Sequence, residues 1–199
     1  MLLKRCFYVR SDVVTIAREL LGKYLFTRFG GETTGGIITE TEAYAGEEDK
    51  ASHAWKGRRT PRTEVMYAVG GTAYVYLCYG VHSLFNVVTN RKDIPHAVLI
   101  RSIQPVEGMD TVLRRLNKPS YKEGMTNGPG RVTKALGIHY SQTGADLTGK
   151  PADDAQDGIW IEDRRFDLSE YRLEVTPRIG VDYAGKDALR PYRFVLHIK

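Results

Sequence analysis

Residues 70–104 read GGTAYVYLCYGVHSLFNVVTNRKDIPHAVLIRSIQ, and this stretch decides the architecture. It holds three runs rich in β-branched and aromatic residues, Thr72–Tyr79, Ser83–Thr89 and Ala97–Gln104, joined by short connections. Strands joined so closely pair antiparallel, because a parallel pair needs a crossover of a dozen residues or more. Upstream, Tyr24–Phe29 and Gly36–Tyr44 flank Gly30-Gly31 and Gly35, the glycine pattern of a hairpin. Downstream, Ile159–Glu162, Arg172–Pro177 and Tyr192–Ile198 predict late strands. A helix is expected over Asp12–Leu21, capped by Ser11 or Asp12, with Val13, Ile16, Ala17 and Leu20 on one face and Gly22 ending it. Two more are expected at Met109–Leu116 and Pro129–Leu136, the second with Pro129 in its first turn and Gly137 just past its end. The polar, Gly-rich residues 139–157 predict a long loop. Helices and strands do not alternate regularly, so the expected fold class is α+β, one mixed domain over residues 1–199.

The chain has 199 residues, 42% hydrophobic and 27% charged, enough to bury a core. No apolar run approaches the roughly 18 residues that span a bilayer. Residues 1–10 lack the long apolar centre of a signal peptide. Cys6 and Cys78 are too few for a disulfide framework and are expected as reduced thiols in a cytoplasmic protein. The formal net charge of +5 permits a polyanionic partner without demanding one. Its distribution says more. Lys56, Arg58, Arg59 and Arg62 crowd a segment broken by Gly57 and Pro61, which predicts either a solvated loop or one that tracks phosphates.

Residues 144–150 match most of a phosphate-binding loop, but Pro151 stands where a Ser or Thr is required. No metal-ligand spacing and no serine-nucleophile elbow occurs, so no metal or cofactor is expected. His96, His139 and His197 carry no assigned role. The stretch Ile38-Thr-Glu-Thr-Glu-Ala-Tyr44 does need explaining. With a period of two, Ile38, Glu40, Glu42 and Tyr44 share one face, and glutamates are poor strand formers. Either the strand is a wet edge or a glutamate turns into a cleft where function tolerates the desolvation. In the 72–79 run, Tyr74 and Tyr76 share a face. Tyr79 falls on the other in a regular strand, yet Tyr79-Gly80 sits where the chain must turn and can project from a tip. Aromatic residues beside cations and a carboxylate suit the stacking of a base.

These residues carry a resemblance. Glu40-Thr-Glu-Ala-Tyr-x-Gly46, Glu48-Asp49, His53, Gly57-Arg58-x-Thr60-Pro-Arg62, Met66, Gly71-Thr72-x-Tyr74-Val-Tyr76, Tyr79-Gly80, Asn86 and Val98-Leu-x-Arg101 resemble the alkyladenine DNA glycosylase (3-methyladenine DNA glycosylase) family. The likeness continues through Pro105-x-Glu107-Gly108, Gly128-Pro129, Arg178-Ile-Gly180 and Arg190-Pro-x-Arg193-Phe194, nearly the whole chain in order. It implies a single mixed domain with a curved antiparallel β-sheet flanked by helices. It also implies Glu42 as general base, Arg101 holding the attacking water, and Tyr44, His53 and Tyr76 as the pocket for a flipped base. Tyr79 matches the side chain that wedges into the duplex, Asn86 the residue that crowds guanine's exocyclic amine, and Arg58 a cation near the backbone, where Arg59 and Arg62 are further candidates. Val81 and His82 replace a bulkier, less polar pair beside the wedge, which puts duplex penetration in question. The short ends imply a bacterial or minimal catalytic core.

The implied chemistry is the flipping of an alkylated or deaminated purine out of double-stranded DNA and hydrolysis of its N-glycosidic bond. A carboxylate serves that reaction by taking a proton from water and stabilising oxocarbenium charge. No lysine matches a nucleophile, so an abasic product without strand cleavage is expected, from a monomer needing no cofactor and located in the cytoplasm or nucleoid. Two other readings remain open to test: a damaged-DNA-binding module without catalysis, and a small-molecule hydrolase using Glu40 and Glu42 as a pair.

Overall fold

A computed structural model describes residues 1–153 and 156–198. The predicted loop over 139–157 therefore falls partly outside them, at positions 154 and 155. The fold is α+β. Eight strands among the described residues form one sheet, and every pairing is antiparallel. They are β1 (Tyr24–Phe29), β2 (Glu32–Tyr44), β3 (Ala73–Cys78), β4 (His82–Thr89), β5 (His96–Glu107), β6 (Gly158–Glu162), β7 (Tyr171–Thr176) and β8 (Arg193–Ile198). The helices are α1 (Arg5–Tyr8), α2 (Val13–Glu19), α3 (Met109–Leu116) and α4 (Pro129–Leu136). None is long and apolar enough to cross a membrane. The short α1 escapes the sequence reading because four residues hold too little periodicity to detect.

Asp12 is the cap of α2: its Oδ1 accepts from the backbone N–H groups of Val14 and Thr15, both at 3.0 Å. Gly30-Gly31 alone forms the β1–β2 turn, with φ of 58° and 78°, the left-handed pair that a two-residue hairpin requires. Gly35 lies inside β2 instead. A Cβ built there would stand 2.2 Å from the Phe26 ring, so the glycine leaves room for an aromatic side chain.

The strand order is β3-β4-β5-β2-β1-β6, and β2 forks along its other edge. Residues 32–37 pair with β1, and Glu40, Thr41 and Glu42 pair with β8, which carries β7. At the fork the β2–β5 ladder slips twice. Ile38 faces Ile103 and Glu40 faces Ser102, so Thr39 is an extra residue in β2; Thr41 then faces Ile100, so Arg101 is an extra residue in β5. Such bulges flip the faces of everything beyond them. Ile38 is therefore in the core with Ala43, and the Thr41 hydroxyl donates to Ala17 O beneath α2 at 2.8 Å. Glu40, Glu42 and Tyr44 emerge on the opposite face. The regular alternation that grouped Ile38 with them is corrected by the Thr39 bulge.

The main core fills the α2 and α4 side of the sheet, with Ile16, Leu20, Phe85, Val87, Val98, Ile100 and Leu136 all buried. A smaller cluster around Met66, Tyr67, Tyr74 and Val88 lies on the other side, beneath the short 3₁₀ turns of residues 46–67. Gly35→Ala is expected to lower unfolding stability by about 1–3 kcal/mol, the cost of overpacking against Phe26 and through it Trp160, measured by urea denaturation.

Candidate active site

The face opposite the main core carries a row of side chains in register. Tyr74 faces Asn86, Asn86 faces Leu99, Leu99 faces Glu42, and Glu42 faces Arg193, across β3, β4, β5, β2 and β8. Directly opposed residues share a face, so residues from distant parts of the chain converge without any loop placing them. Above this row lies a cavity of about 270 Å³, near the lower end of small-molecule sites. Tyr44, His53, Tyr76, Tyr79, Asn86 and Arg101 all line it.

Glu42 lies behind the cavity wall with no exposed side-chain surface. Its Oε1 accepts from the Ile179 backbone N–H at 2.8 Å, and its Oε2 accepts from the Tyr44 hydroxyl at 2.8 Å. Arg101 Nε stands 3.4 Å from Oε1. All three partners line the cavity, so the carboxylate reaches it through them. Burial pushes the Glu42 carboxyl above its ordinary value, opposed chiefly by the Arg101 charge and the Ile179 N–H, while Glu40 adds to the rise. Burial and then the Glu42 charge hold Tyr44 well above the usual phenol range, so it stays a neutral donor.

The aromatic wall is interlocked. His53 packs edge-on against Tyr76, centroids 4.7 Å apart, and its Nδ1 lies 2.8 Å from the Tyr74 hydroxyl. Burial first, then the Arg62 and Arg58 charges, push the imidazole down to about 4, so it is neutral at physiological pH. Asn86 Nδ2 donates to Tyr74 O at 3.1 Å and Leu84 O at 3.4 Å, which holds the amide against the wall.

Tyr79 stands at the tip of the β3–β4 hairpin with 95% of its surface exposed. The Cys78–Val81 turn places both Tyr79 and Gly80 at positive φ, 51° and 71°, closed by Val81 N–H to Cys78 O at 3.1 Å. Positive φ is uncommon outside glycine and costs a bulky residue strain, which the fold spends on projecting a ring beside the cavity mouth. Val81 and His82 are exposed next to it.

The cations of the 56–62 segment divide. Arg62 lies over the Tyr76 ring, 4.9 Å from its centroid, and Arg58 is exposed. Arg59 is exposed but committed within the protein, to Glu64 at 2.6 Å and Asp93 at 3.0 Å, over the Tyr67 ring. Glu40 shares Arg101 with Glu42 but borders a separate cavity of about 610 Å³ with Thr39, Gln104 and Tyr121, which none of the candidate site residues lines.

Sequence reasoning gave no role to the segment that closes the cavity, Ile179, Gly180, Val181 and Tyr183. It is fastened by Arg178, whose Nη2 donates to Asp49 Oδ1 at 2.8 Å and whose Nη1 donates to Ala43 O at 2.8 Å; neither ion-pair side chain is exposed. The sequence held one signal, since Glu48-Asp49 and Arg178-Ile-Gly180 both belong to the family pattern, but nothing in it says that they meet.

The site is thus an aromatic cavity with a buried carboxylate behind it and an exposed ring beside its mouth. Comparison with known proteins supplies the class. Residues 6–199 match the methylpurine-DNA glycosylase (MPG) family. A Chlamydia abortus protein named "Putative 3-methyladenine DNA glycosylase" is 48% identical over 201 residues, covering all of both chains. Relatives bearing the same name in Desulfitobacterium hafniense and Clostridium perfringens are 41% and 40% identical, each over 98% of this chain and 94% and 96% of theirs. The chain belongs to the methylpurine-DNA glycosylase family, hydrolases of N-glycosyl bonds in base excision repair.

Replacing Asp49 with Ala strands the Arg178 charge in the interior. A loss of about 3–5 kcal/mol in unfolding free energy is expected, read by thermal or urea melts.

Proposed function

We propose that the enzyme removes alkylated and deaminated purines, of the 3-methyladenine, 7-methylguanine and hypoxanthine type, from duplex DNA. The buried Glu42 behind an aromatic cavity carries this reading. The damaged nucleotide swings out of the stack, at a cost of a few kcal/mol that is least where pairing is already weak. Tyr79 fills the gap it leaves. The base enters between Tyr44 and Tyr76, with His53 at its edge and Asn86 restricting what its rim can carry. Electron-rich tyrosine faces favour a purine made cationic by alkylation, and the neutral imidazole puts no opposing charge beside it.

Water held by Glu42 and Arg101 then adds to C1′ of the deoxyribose. The bonding pair of the N-glycosidic bond leaves with the purine, which departs neutral when alkylation has made it cationic and otherwise takes up a proton from solvent, and Glu42 accepts the proton of the attacking water. The products are the free base and an abasic site. Glu42→Gln tests the assignment in a single-turnover assay with a hypoxanthine duplex: release of base is expected to fall by about 10²–10⁴-fold with lesion binding retained. A wild-type rate overturns it.

The pH dependence has a definite sign. The base acts ionised, and burial raises its pKa, so excision rises with pH through a value above the ordinary glutamate range near 4.3. That acid limb is expected in the pH profile of wild-type single-turnover rates. An inflection at the usual histidine value is not expected, because His53 titrates far lower.

Arg58 and Arg62 are the better placed phosphate contacts. Alanine at either is expected to weaken duplex binding broadly and to reduce the salt slope by about one. Arg59→Ala should leave that slope near the wild-type value, because its charge is already balanced by Glu64 and Asp93. Anisotropy titrations at several salt concentrations separate the three.

A further inference from the structure

Glu40 takes no part in the reaction as proposed, yet it is wired to the site. Its side chain is only 10% exposed, and its Oε1 accepts from two guanidinium Nε atoms, Arg101 at 3.0 Å and Arg193 at 2.6 Å. Arg193, on β8, is braced in turn by its Nη1 donating to Thr176 Oγ1 at 3.0 Å. Arg193, Glu40, Arg101 and Glu42 thus alternate in sign and sum to no net charge, as groups with so little solvent require. Arg101 turns Nε toward both carboxylates, and among the described residues its terminal nitrogens have no hydrogen-bond partner. Its bulged backbone carbonyl is fixed by the Gly128 N–H at 2.8 Å.

We propose that Glu40, braced by Arg193, is a positioning residue for base excision: it sets the plane of the Arg101 guanidinium, leaves the terminal N–H groups to the cavity, and offsets the cationic charge beside Glu42. This rests on Glu42 being the base. Arg101 alone would stabilise the Glu42 carboxylate and weaken it as a proton acceptor; the second carboxylate on the same guanidinium restores basicity. The other groups facing Glu42 are the Tyr44 hydroxyl from β2, the Ile179 N–H, and Arg178 and Tyr183 from the segment that closes the cavity. Among the described residues, Glu40 is the one acid besides Glu42 itself that is ion-paired with Arg101.

The test is single-turnover release of hypoxanthine from a duplex oligonucleotide across pH, using wild type, Glu40→Gln, Glu40→Ala, Arg193→Lys and Glu42→Gln. Glu40→Gln keeps an acceptor for Arg101 but loses the charge, so its acid limb is expected at lower pH than wild type. Glu40→Ala also frees the guanidinium and is expected to slow the plateau by about 10²-fold at unchanged duplex affinity, as small misplacements of catalytic groups do. Arg193→Lys, which lacks the Nε fork, should fall between. The acid limb decides: if Glu40→Gln titrates as wild type does, the proposal is overturned, whatever the plateau and even if Glu40→Ala fails to fold. A wild-type rate in Glu42→Gln overturns the parent reading and this one with it; an inactive Glu42→Gln beside an unmoved Glu40→Gln limb overturns this one alone.

Discussion

Two offset bulges in the pairing of β2 with β5 hold this site together. An uninterrupted ladder would carry Glu40, Glu42 and Tyr44 onto the face that Ile38 occupies, under α2, where charge has no partner. Thr39 and Arg101, each one residue too many for its ladder, reverse the alternation and bring both glutamates and the arginine to the same side. Each bulge leaves backbone groups without a ladder partner, and the Gly128 N–H satisfies the Arg101 carbonyl from the turn before α4. The irregularity is built into the sheet, so the carboxylate sits on a paired strand rather than on a loop.

Glu42 is the point where stability and chemistry conflict. Full burial disfavours its charge, while Arg101, Ile179 N–H and Tyr44 favour it, and burial prevails. The resulting carboxylate is more basic than one in water, which suits the role of proton acceptor proposed for it. The structure sustains this by clamping the segment that supplies Ile179. Arg178 and Asp49 form a fully buried pair at one end, and the guanidinium also lies over the Tyr44 ring, 4.8 Å from its centroid. One ion pair thus steadies both a donor to Glu42 and an aromatic wall of the cavity.

The periphery follows a different logic from the floor. Tyr79 is held at positive φ on a hairpin turn and is almost wholly exposed, so its strain is spent where a ring must leave the surface. Around it the positive charges are sorted by partner: Arg59 closes an internal network with two acids, whereas Arg62 leans over Tyr76 at the cavity edge. The cations of this loop are therefore not equivalent in their surroundings.

Much of this was legible from residues alone. The hairpin glycines at 30 and 31, the Asp12 cap, the three short-spaced strands from 72 to 104 and the bounds of α3 and α4 rest on local rules, and local rules do not need the rest of the chain. The family pattern pointed to Glu42, Arg101, Tyr44, His53, Tyr76, Tyr79 and Asn86, and all but Glu42 line one cavity, with Glu42 directly behind it. What stayed hidden depends on register and distance. No periodicity announces a bulge, because an extra residue looks like any other until its partner strand is known; hence Ile38 seemed to share a face with the glutamates. Asp49 and Arg178 lie 129 positions apart, and Glu40 and Arg193 lie 153 apart, so only the closed sheet brings them together. Sequence determined which groups were available and which local turns would form. Tertiary structure decided which charges would neutralise one another, because electrostatic pairing in a desolvated interior depends on separation in space and on the water removed, and neither is written along the chain.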